Sequence, residues 1–384
     1  MHKNQQQILS GIKVLELGQL IAGPFASKTL ADFGAEVIKV ESPGVGDPLR
    51  KWRMLHEGTS VWWQAQSRNK QSICLDLRVK EGQAIARKLA LEADVVIENF
   101  RPGTLEKWGL GWEELHKANP KLIMLRISGY GQDGPRRDEP GFAAIGEAMA
   151  GLRYITGHPN QVPVRAGLSL GDTIAGLHGA LGVLLALYEA VFNLTESLLP
   201  EYSAFGAIRQ PAGGALPGIA PSNAYRCADG QYVLIAGNGD SIYKRLMVLI
   251  GRSDLGEDPA LAFNDGRAKR VAEIDAAITA WTETLTLDAV LQGLLEAQVP
   301  SGKIYTAKDI AEDPHYHARG VIESVQAADG LKVQIPGIIP KLSQNPGSIR
   351  YRAPTLGEHT DEVLKSAGLT QEQIAILKKS GVLA

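Results

Sequence analysis

The sequence predicts an α/β protein that consists of a Rossmann-like large domain and a smaller α+β domain. Near the start, residues 12–17 (IKVLEL) and 35–41 (AEVIKVE) are typical of buried strands, and the helix between them holds Pro24 in its first turn. From residue 223 the pattern changes to a hairpin around Asp229 and Gly230, followed by helical stretches. This change indicates a second domain.

The predicted domain boundaries follow the composition of the chain. We expect a large domain over 1–200 that is completed by 340–384, a linker with many Gly and Pro residues over 201–221, a small domain over 222–310, and a linker with a hairpin over 311–339. The other predicted elements of the large domain are strands at 72–77, 94–98 and 122–127 and helices at 81–92 and 112–118.

Composition and charge disfavour several classes of function. The 384 residues carry a net charge of -2, which provides no overall basic field for nucleic acid. The most apolar run, 175–194, contains His178, Glu189 and Asn193, so it is predicted to be a buried helix rather than a membrane span. Two cysteines are too few for a disulfide framework. We therefore expect a cytoplasmic protein without nucleic-acid or membrane partners.

The stretch 167–187 (GLSLGDTIAGLHGALGVLLAL) is predicted to consist of a turn that contains Gly and a long helix of small and apolar residues, with Asp172 at the start of the helix. The simplest role for Asp172 is that of a helix N-cap, whose carboxylate accepts backbone N–H groups of the first turn. The same carboxylate is also a candidate nucleophile at the rim of a buried helix, where amides can stabilise charge. The two roles are compatible, and the residues alone leave both open.

Candidate ligand-binding residues follow the predicted strands. Five basic residues lie near strand ends, where they can either bind phosphate or solvate a surface: Arg50, Lys51, Arg53, Arg68 and Lys70. After the strand at 94–98, Phe100 and Arg101 are candidates to hold an adenine and a phosphate, with Phe100 as a core side chain the alternative.

Two other kinds of site are disfavoured by their patterns. The turn after the first strand does not match G-x-G-x-x-G, which argues against a nicotinamide-dependent dehydrogenase. His315 and His317 have no third ligand at a sensible spacing nearby, so no metal site is predicted.

Six segments resemble, in the same order, the class III CoA-transferases, the family that includes formyl-CoA transferase and carnitine CoA-transferase. The resemblance runs over nearly the whole chain, and each motif is weak when it is taken singly. The segments are GIKVLELGQLIAGPFASKTLADFGAEVIKVE, SRNKQSICLDL, ADVVIENFRPGTLEKWGL, SGYGQDGP, AGLSLGDTIAGLHGALG and LGEHTDEVL.

The resemblance implies an acyl-CoA-dependent CoA-transferase in which Asp172 is the nucleophile and forms an aspartyl-CoA thioester. It implies that Gln19 contacts the reacting group, and that Gly237 and Gly239, on either side of Asn238, belong to a loop that covers the intermediates. The residues implied to line the CoA site are Arg68, Asn99, Phe100 and Lys107.

The resemblance also implies substrates and an assembly. CoA enters as a thioester substrate, with succinyl-CoA the expected donor and a small carboxylic or dicarboxylic acid the acceptor; no tightly bound cofactor and no metal are expected. Arg50, Arg53 and Arg165 are candidates to bind the distal carboxylate of a dicarboxylate acceptor. The expected assembly is an interlocked homodimer.

The chain departs from related patterns in two places. Racemases of 2-methylacyl-CoA thioesters share the family's fold but use a His in a Gly-His-Asp step, where this chain has Gly141-Phe142-Ala143. A racemase is therefore the alternative, together with a non-catalytic CoA-binding protein. Between the positions of Tyr188 and Glu189, relatives carry a basic hairpin and a further strand. We favour the interpretation that this stretch is missing from the printed sequence over its loss from the protein, because loss of a strand would expose an apolar sheet edge.

Overall fold

The computed structural model describes residues 7–139, 141–182, 184–186, 192, 194–195, 197–339 and 346–384. It divides the chain into two compact units. Unit 1 consists of Met1–Leu152, Ala166–Glu196 and Pro314–Ala384, and unit 2 consists of Arg153–Arg165 and Ser197–Asp313.

The strands and helices are numbered along the chain. The strands are β1 Lys13–Glu16, β2 Glu36–Glu41, β3 Leu55–His56, β4 Thr59–Ser60, β5 Lys70–Cys74, β6 Val95–Glu98, β7 Ile123–Ser128, β8 Leu184–Ala186, β9 Ser222–Arg226, β10 Tyr232–Ala236, β11 Ser301–Lys303, β12 Ile322–Gln326 and β13 Lys332–Pro336. The helices are α1 Ala22–Asp32, α2 Val61–Gln66, α3 Lys80–Glu92, α4 Thr104–Lys107, α5 Trp112–Ala118, α6 Ala143–Met149, α7 Leu152–Ile155, α8 Leu170–Leu181, α9 Leu198–Phe205, α10 Asp240–Leu249, α11 Ser253–Glu257, α12 Asn264–Lys269, α13 Val271–Thr282, α14 Leu287–Glu296, α15 Ala307–Glu312, α16 Pro314–Ala318, α17 Thr360–Ser366 and α18 Gln371–Lys379.

Unit 1 is built on a six-stranded sheet with the order β5-β2-β1-β6-β7-β8. All neighbouring strands in it are parallel, and the strands predicted in the large domain are present within two or three residues of their expected bounds. The order reverses between β1 and β6, since the chain builds outwards from β1 on one side and then crosses to the other. In doubly wound sheets, the crevice beyond the carboxyl ends of the strands at such a reversal is where ligands bind.

The predicted long helix is wrong beyond Leu181. α8 ends at Leu181, Gly182 is extended (φ -151°, ψ 167°), and β8 follows as the sixth strand, with Leu185 opposite Ile127 of β7. A short apolar run has no alternation that would separate a strand from a helix, which is why the leucines after Gly182 fitted both patterns. The proposed hairpin between Tyr188 and Glu189 lies outside the described residues.

Close contacts at two glycines fix α8 in unit 1. A Cβ atom on Gly176 would lie 2.6 Å from the carbonyl oxygen of Ala22 and 3.2 Å from the nitrogen of Ala26, both in α1. A Cβ atom on Gly179 would lie 2.9 Å from Leu125 of β7. The absence of side chains at these two positions therefore allows α8 to contact both α1 and the sheet.

The C-terminal segment also belongs to unit 1. The side chain of Asn69 donates to Ser348 O (2.9 Å) and accepts from the backbone N–H of Tyr351 (3.0 Å). Trp63 Nε1 donates to Pro354 O (3.0 Å). The predicted capping box of the last helix, between Thr370 and Gln373, is present.

Unit 2 contains a three-stranded antiparallel sheet, β11-β10-β9, and its hairpin turns at Asp229 and Gly230 as predicted. The division differs from the predicted domain boundaries in three places. Residues 153–165, expected in the large domain, lie in unit 2; α9 occupies part of the predicted linker; and the β12–β13 hairpin lies in unit 1.

Three charged side chains are buried on the sheet, one each from β1, β2 and β5. Glu16 accepts from Lys39 Nζ and from Lys70 Nζ, each at 2.8 Å, and all three residues are at most 1% exposed. Burial alone would raise the pKa of Glu16, but the two ammonium groups lower that pKa to about 2. Although burial opposes it, the carboxylates of Asp47, Glu16 and Glu41 raise the pKa of Lys39. Glu16 and Lys39 are therefore charged at neutral pH, whereas burial lowers the pKa of Lys70 below its ordinary value.

We expect Gly176→Ala to lower the free energy of unfolding by about 1–3 kcal/mol, because the added methyl group meets backbone atoms of α1 that cannot move alone. Gly167→Ala is the matched control, since the Cβ position of Gly167 has no neighbour within 4 Å. Chemical denaturation of both variants measures the difference. Equal stabilities would show that α1 and α8 can separate at no cost.

Glu16→Gln should make the stability less dependent on pH. Unfolding returns the pKa of Glu16 from about 2 to its ordinary 4.5, so the ionic contribution is present above pH 4.5 and is lost as the pH falls toward 2. We expect the difference in unfolding free energy between wild type and variant to shrink by about 1.4 kcal/mol per pH unit below that point. Denaturant titrations at pH 6, 5, 4 and 3 test this, and a constant difference would contradict it.

Candidate active site

The turn after β1, residues 18–20, lies beside the turn after β6 at the point where the strand order reverses. The side chain of Asn99 accepts from Gln19 N (2.7 Å) and donates to Gln19 O (2.8 Å). A Cβ atom on Gly18 would lie 2.7 Å from Asn99 Oδ1, so only glycine permits this approach. The pair of hydrogen bonds thus fixes the peptide groups on both sides of the Gln19 Cα atom.

The next residue of the turn has an unusual backbone conformation. Leu20 has φ 64°, a left-handed value that costs a residue other than glycine about 1–2 kcal/mol. Its N–H donates to both carboxylate oxygens of Asp47 at 3.1 Å. Such backbone strain persists where surrounding groups hold it, and it is often found at functional sites.

Asp172 is not the N-cap residue, and that prediction was wrong. α8 begins at Leu170, two residues earlier, after Ser169, whose side chain makes no capping hydrogen bond. Asp172 is half-buried in the first turn and lies one turn before Gly176, on the same face of the helix. Because α1 follows β1 and α8 precedes the parallel strand β8, both helices begin at the carboxyl edge of the sheet. The Gly176 contact with α1 therefore brings Asp172 to the edge that also carries Gln19.

A second carboxylate supports the first turn of α8. Glu147 of α6 is 1% exposed, and its Oε1 accepts from the N–H of Gly171 (3.3 Å). A Cβ atom on Gly171 would lie 3.2 Å from the methyl group of Ala143. α6 therefore packs directly against the residue that precedes Asp172.

The other two predicted catalytic residues, Gly237 and Gly239, lie in unit 2, in the turn between β10 and α10. Gly237 N–H donates to Pro221 O (3.0 Å), and its Cβ position is occupied by Leu246 (2.7 Å). The fully buried Arg267 donates to Asn238 O (2.8 Å) between the two glycines. The turn is thus held in one conformation within its own unit.

The four residues predicted to bind CoA have different surroundings. Asn99 makes the Gln19 contacts described above. Phe100 packs edge-on against Trp108, with ring centroids 5.4 Å apart, while Lys107 is exposed at the end of α4. Arg68 is 2% exposed and donates twice to Asp32 (2.9 and 2.7 Å) and once to Pro336 O. Its contact with CoA stays a prediction, and these buried contacts do not favour it.

The predicted phosphate-binding cluster is largely neutralised inside the protein. Arg50 pairs with Glu41 (2.7 Å) and Lys70 with Glu16, while Arg68 pairs with Asp32. Lys51 and Arg53 are exposed, and Arg53 lies over the ring of Trp62 at 4.2 Å. A phosphate group would therefore find at most part of this cluster available.

Sequence reasoning missed Lys39 and Asp47, which contact the Gln19 turn directly. A signal for the first was present, since Lys39 interrupts the apolar strand EVIKVE just as Glu16 ends KVLE. Strands of a parallel sheet are buried on both faces, so opposite charges within them must pair. For Asp47, which lies in the loop after β2, the pattern contained no comparable signal.

Within the described part of the chain, no three His, Cys, Asp or Glu side chains are close enough together to hold a metal ion. No described helix is both long and apolar enough to cross a membrane.

Comparisons with known proteins identify the family. Residues 9–360 match the family model described as CoA-transferase family III. The chain is 47% identical to succinyl-CoA–D-citramalate CoA-transferase of Chloroflexus aurantiacus, with 98% of each chain covered. It is 36% identical to succinate–glutarate CoA-transferase of Agrobacterium fabrum, with 94% of this chain and 96% of that one covered.

A solved structure has the same fold. The crystal structure of a CAIB/BAIF family protein from Brucella suis matches with a TM-score of 0.83 and 32% sequence identity, over 94% of this chain and 100% of that one. The family match and both relatives cover nearly all of the sequence. The chain therefore belongs to CoA-transferase family III and is an enzyme of the CoA-transferase class.

Proposed function

We propose that the enzyme transfers CoA from succinyl-CoA to a small dicarboxylic acid through an aspartyl-CoA thioester on Asp172. The observation that carries the proposal is the position of this half-buried carboxylate at the carboxyl edge of the sheet, the edge that also carries Gln19. The names of the two relatives support the donor and the class of acceptor.

The proposed reaction consists of two exchanges at one carboxyl group. The Asp172 carboxylate attacks the thioester carbonyl of succinyl-CoA and expels the CoA thiolate, which leaves a mixed anhydride of aspartate and succinate. The thiolate then attacks the aspartyl carbonyl, forms the aspartyl-CoA thioester and releases succinate. An acceptor carboxylate then attacks the carbonyl of the aspartyl-CoA thioester and expels the CoA thiolate, which leaves a second mixed anhydride. The thiolate attacks the acceptor carbonyl of this anhydride, forms the CoA thioester of the acceptor and releases the Asp172 carboxylate.

The protein's contribution is to exclude water and to hold hydrogen-bond donors near the developing oxyanions. The side-chain amide of Gln19 is the proposed donor to the reacting group, since both of its neighbouring peptide groups are held by Asn99. Gly237 and Gly239 are proposed to cover the intermediates, because the backbone of a glycine can approach a ligand closely.

For the acceptor we propose a dicarboxylate of the size of citramalate or glutarate. Of the three candidate partners of its distal carboxylate, Arg53 is preferred over Arg50, because Arg53 is exposed and Arg50 is paired with Glu41; Arg165 stays a candidate. An interlocked homodimer, a cytoplasmic location and the lack of a tightly bound cofactor remain parts of the proposal. Sedimentation analysis of the purified enzyme tests the dimer.

Trapping the intermediate tests the function. We expect incubation with succinyl-CoA to add the mass of CoA less one water to the intact protein, and hydroxylamine to convert the adduct into a hydroxamate at Asp172. With an acceptor whose carboxylates carry ¹⁸O, label should enter the Asp172 carboxyl group, because the acceptor oxygen bridges the second anhydride. D-citramalate, L-malate, glutarate and oxalate form the acceptor panel.

Asp172→Ala should abolish the adduct and lower transfer by about 10³-fold or more, as loss of a nucleophile does. Asp133→Asn, an exposed carboxylate in the loop after β7, is the matched control and should keep both. CoA transfer without an adduct would contradict the aspartyl-CoA thioester. Exchange of the α-proton of a 2-methylacyl-CoA instead of transfer would indicate a racemase, and CoA binding without either reaction would indicate a binding protein.

A further inference from the structure

The turn that carries Gln19 is held by side chains from three different parts of the chain. Lys39 Nζ donates to Gly18 O (3.0 Å), Asn99 bonds both peptide groups that flank Gln19, and Asp47 accepts from Leu20 N. Buried backbone polar groups need partners, and an ordinary turn obtains them from its own backbone. Here side chains from outside the turn replace that local pattern.

Lys39 and Asp47 are bonded to each other as well as to the turn. Their Nζ and Oδ2 atoms lie 2.8 Å apart, and both residues are at most 1% exposed. An ammonium group has three donors, and those of Lys39 point to Glu16, Asp47 and Gly18 O. No donor is left for a substrate, so the contribution of Lys39 to the site is made through the turn.

The contact of Asp47 falls on the strained residue. Leu20 keeps its left-handed conformation while its N–H bonds the carboxylate of Asp47, which also accepts from Leu49 N (2.8 Å). If Leu20 relaxed to a negative φ, the peptide group between Gln19 and Leu20 would rotate. That rotation would change the direction in which the Gln19 side chain leaves the turn.

We propose that Lys39 and Asp47 are positioning residues for Gln19, which keep its amide aimed at the reacting acyl group without touching substrate. The inference rests on the role proposed above for Gln19. It predicts that the pair acts on the rate of transfer and only weakly on the affinity for succinyl-CoA. A misplacement of a catalytic group by about 1 Å costs on the order of 100-fold in rate.

The test uses Lys39→Met and Asp47→Asn in the full-length enzyme, with Lys70→Met as the matched control. Lys70 is as buried as Lys39 and bonds the same carboxylate, but its other partner is Pro24 O rather than the 18–20 turn. We expect kcat to fall about 10- to 100-fold in the first two variants, with KM for succinyl-CoA within about threefold. In Lys70→Met, kcat should stay within about threefold although the variant is less stable.

A double-mutant cycle with Gln19→Ala separates positioning from a general structural role. If the pair acts through Gln19, Lys39→Met or Asp47→Asn should lower kcat no further once Gln19 is alanine. Effects that multiply would overturn the inference, as would an unchanged kcat in the single variants or an equal loss in Lys70→Met. Asp47→Asn, which keeps an acceptor of the same shape, carries the test if Lys39→Met does not fold.

The cycle also separates this inference from the proposed function. If Gln19→Ala alone leaves transfer unchanged, the role of Gln19 fails, and the positioning inference fails with it. The adduct on Asp172 is measured independently by mass, so its presence or absence decides the aspartyl-CoA thioester whatever the cycle shows.

Discussion

The contacts of the buried ammonium group of Lys39 are the interactions on which the carboxyl edge of unit 1 depends. This group joins the end of β1, through Glu16, to the loop after β2, through Asp47, and reaches the Gln19 turn through Gly18 O. Buried ion pairs are weak evidence for stability, since apolar side chains of similar volume often stabilise as well. A network of this kind is better understood as a means of selecting one backbone conformation among several, at a position where the strand order of the sheet reverses.

The geometry of the edge also depends on two absent side chains. Gly18 lets Asn99 reach both peptide groups around Gln19, and Gly176 lets α8 approach the first turn of α1. The first contact fixes the backbone around Gln19, and the second fixes the position of α8, whose first turn carries Asp172. Both contacts involve backbone atoms, and such contacts are stiffer than contacts between long side chains.

The sequence predicted much of the architecture, because strand and turn patterns are local. The parallel strands, the hairpin at Asp229 and Gly230 and the capping box at Thr370 followed from residue types at fixed spacings. The helix beyond Gly182 was wrong because a run of leucines suits a buried strand equally. The ion pairs of Lys39 were missed for another reason. β1 and β2 are neighbours only in the folded sheet, and no local pattern predicts that Asp47 contacts Lys39. The pairing of Arg68 with Asp32 was missed for a similar reason, since the two residues are remote in sequence.

Unit 1 is assembled from three separate segments of the chain, with unit 2 lying between them in the sequence. Its β5 edge is completed by the last segment, where Asn69 binds Ser348 and Tyr351 and where Thr360 accepts from Cys74 N. During synthesis from the N-terminus, unit 2 can therefore form its core while the first-made strands still lack these partners. Contacts between residues nearly 300 positions apart form late, and a protein that depends on such contacts folds slowly. The β5 edge of unit 1 is accordingly completed last, which leaves this nascent sheet edge in need of protection from other chains.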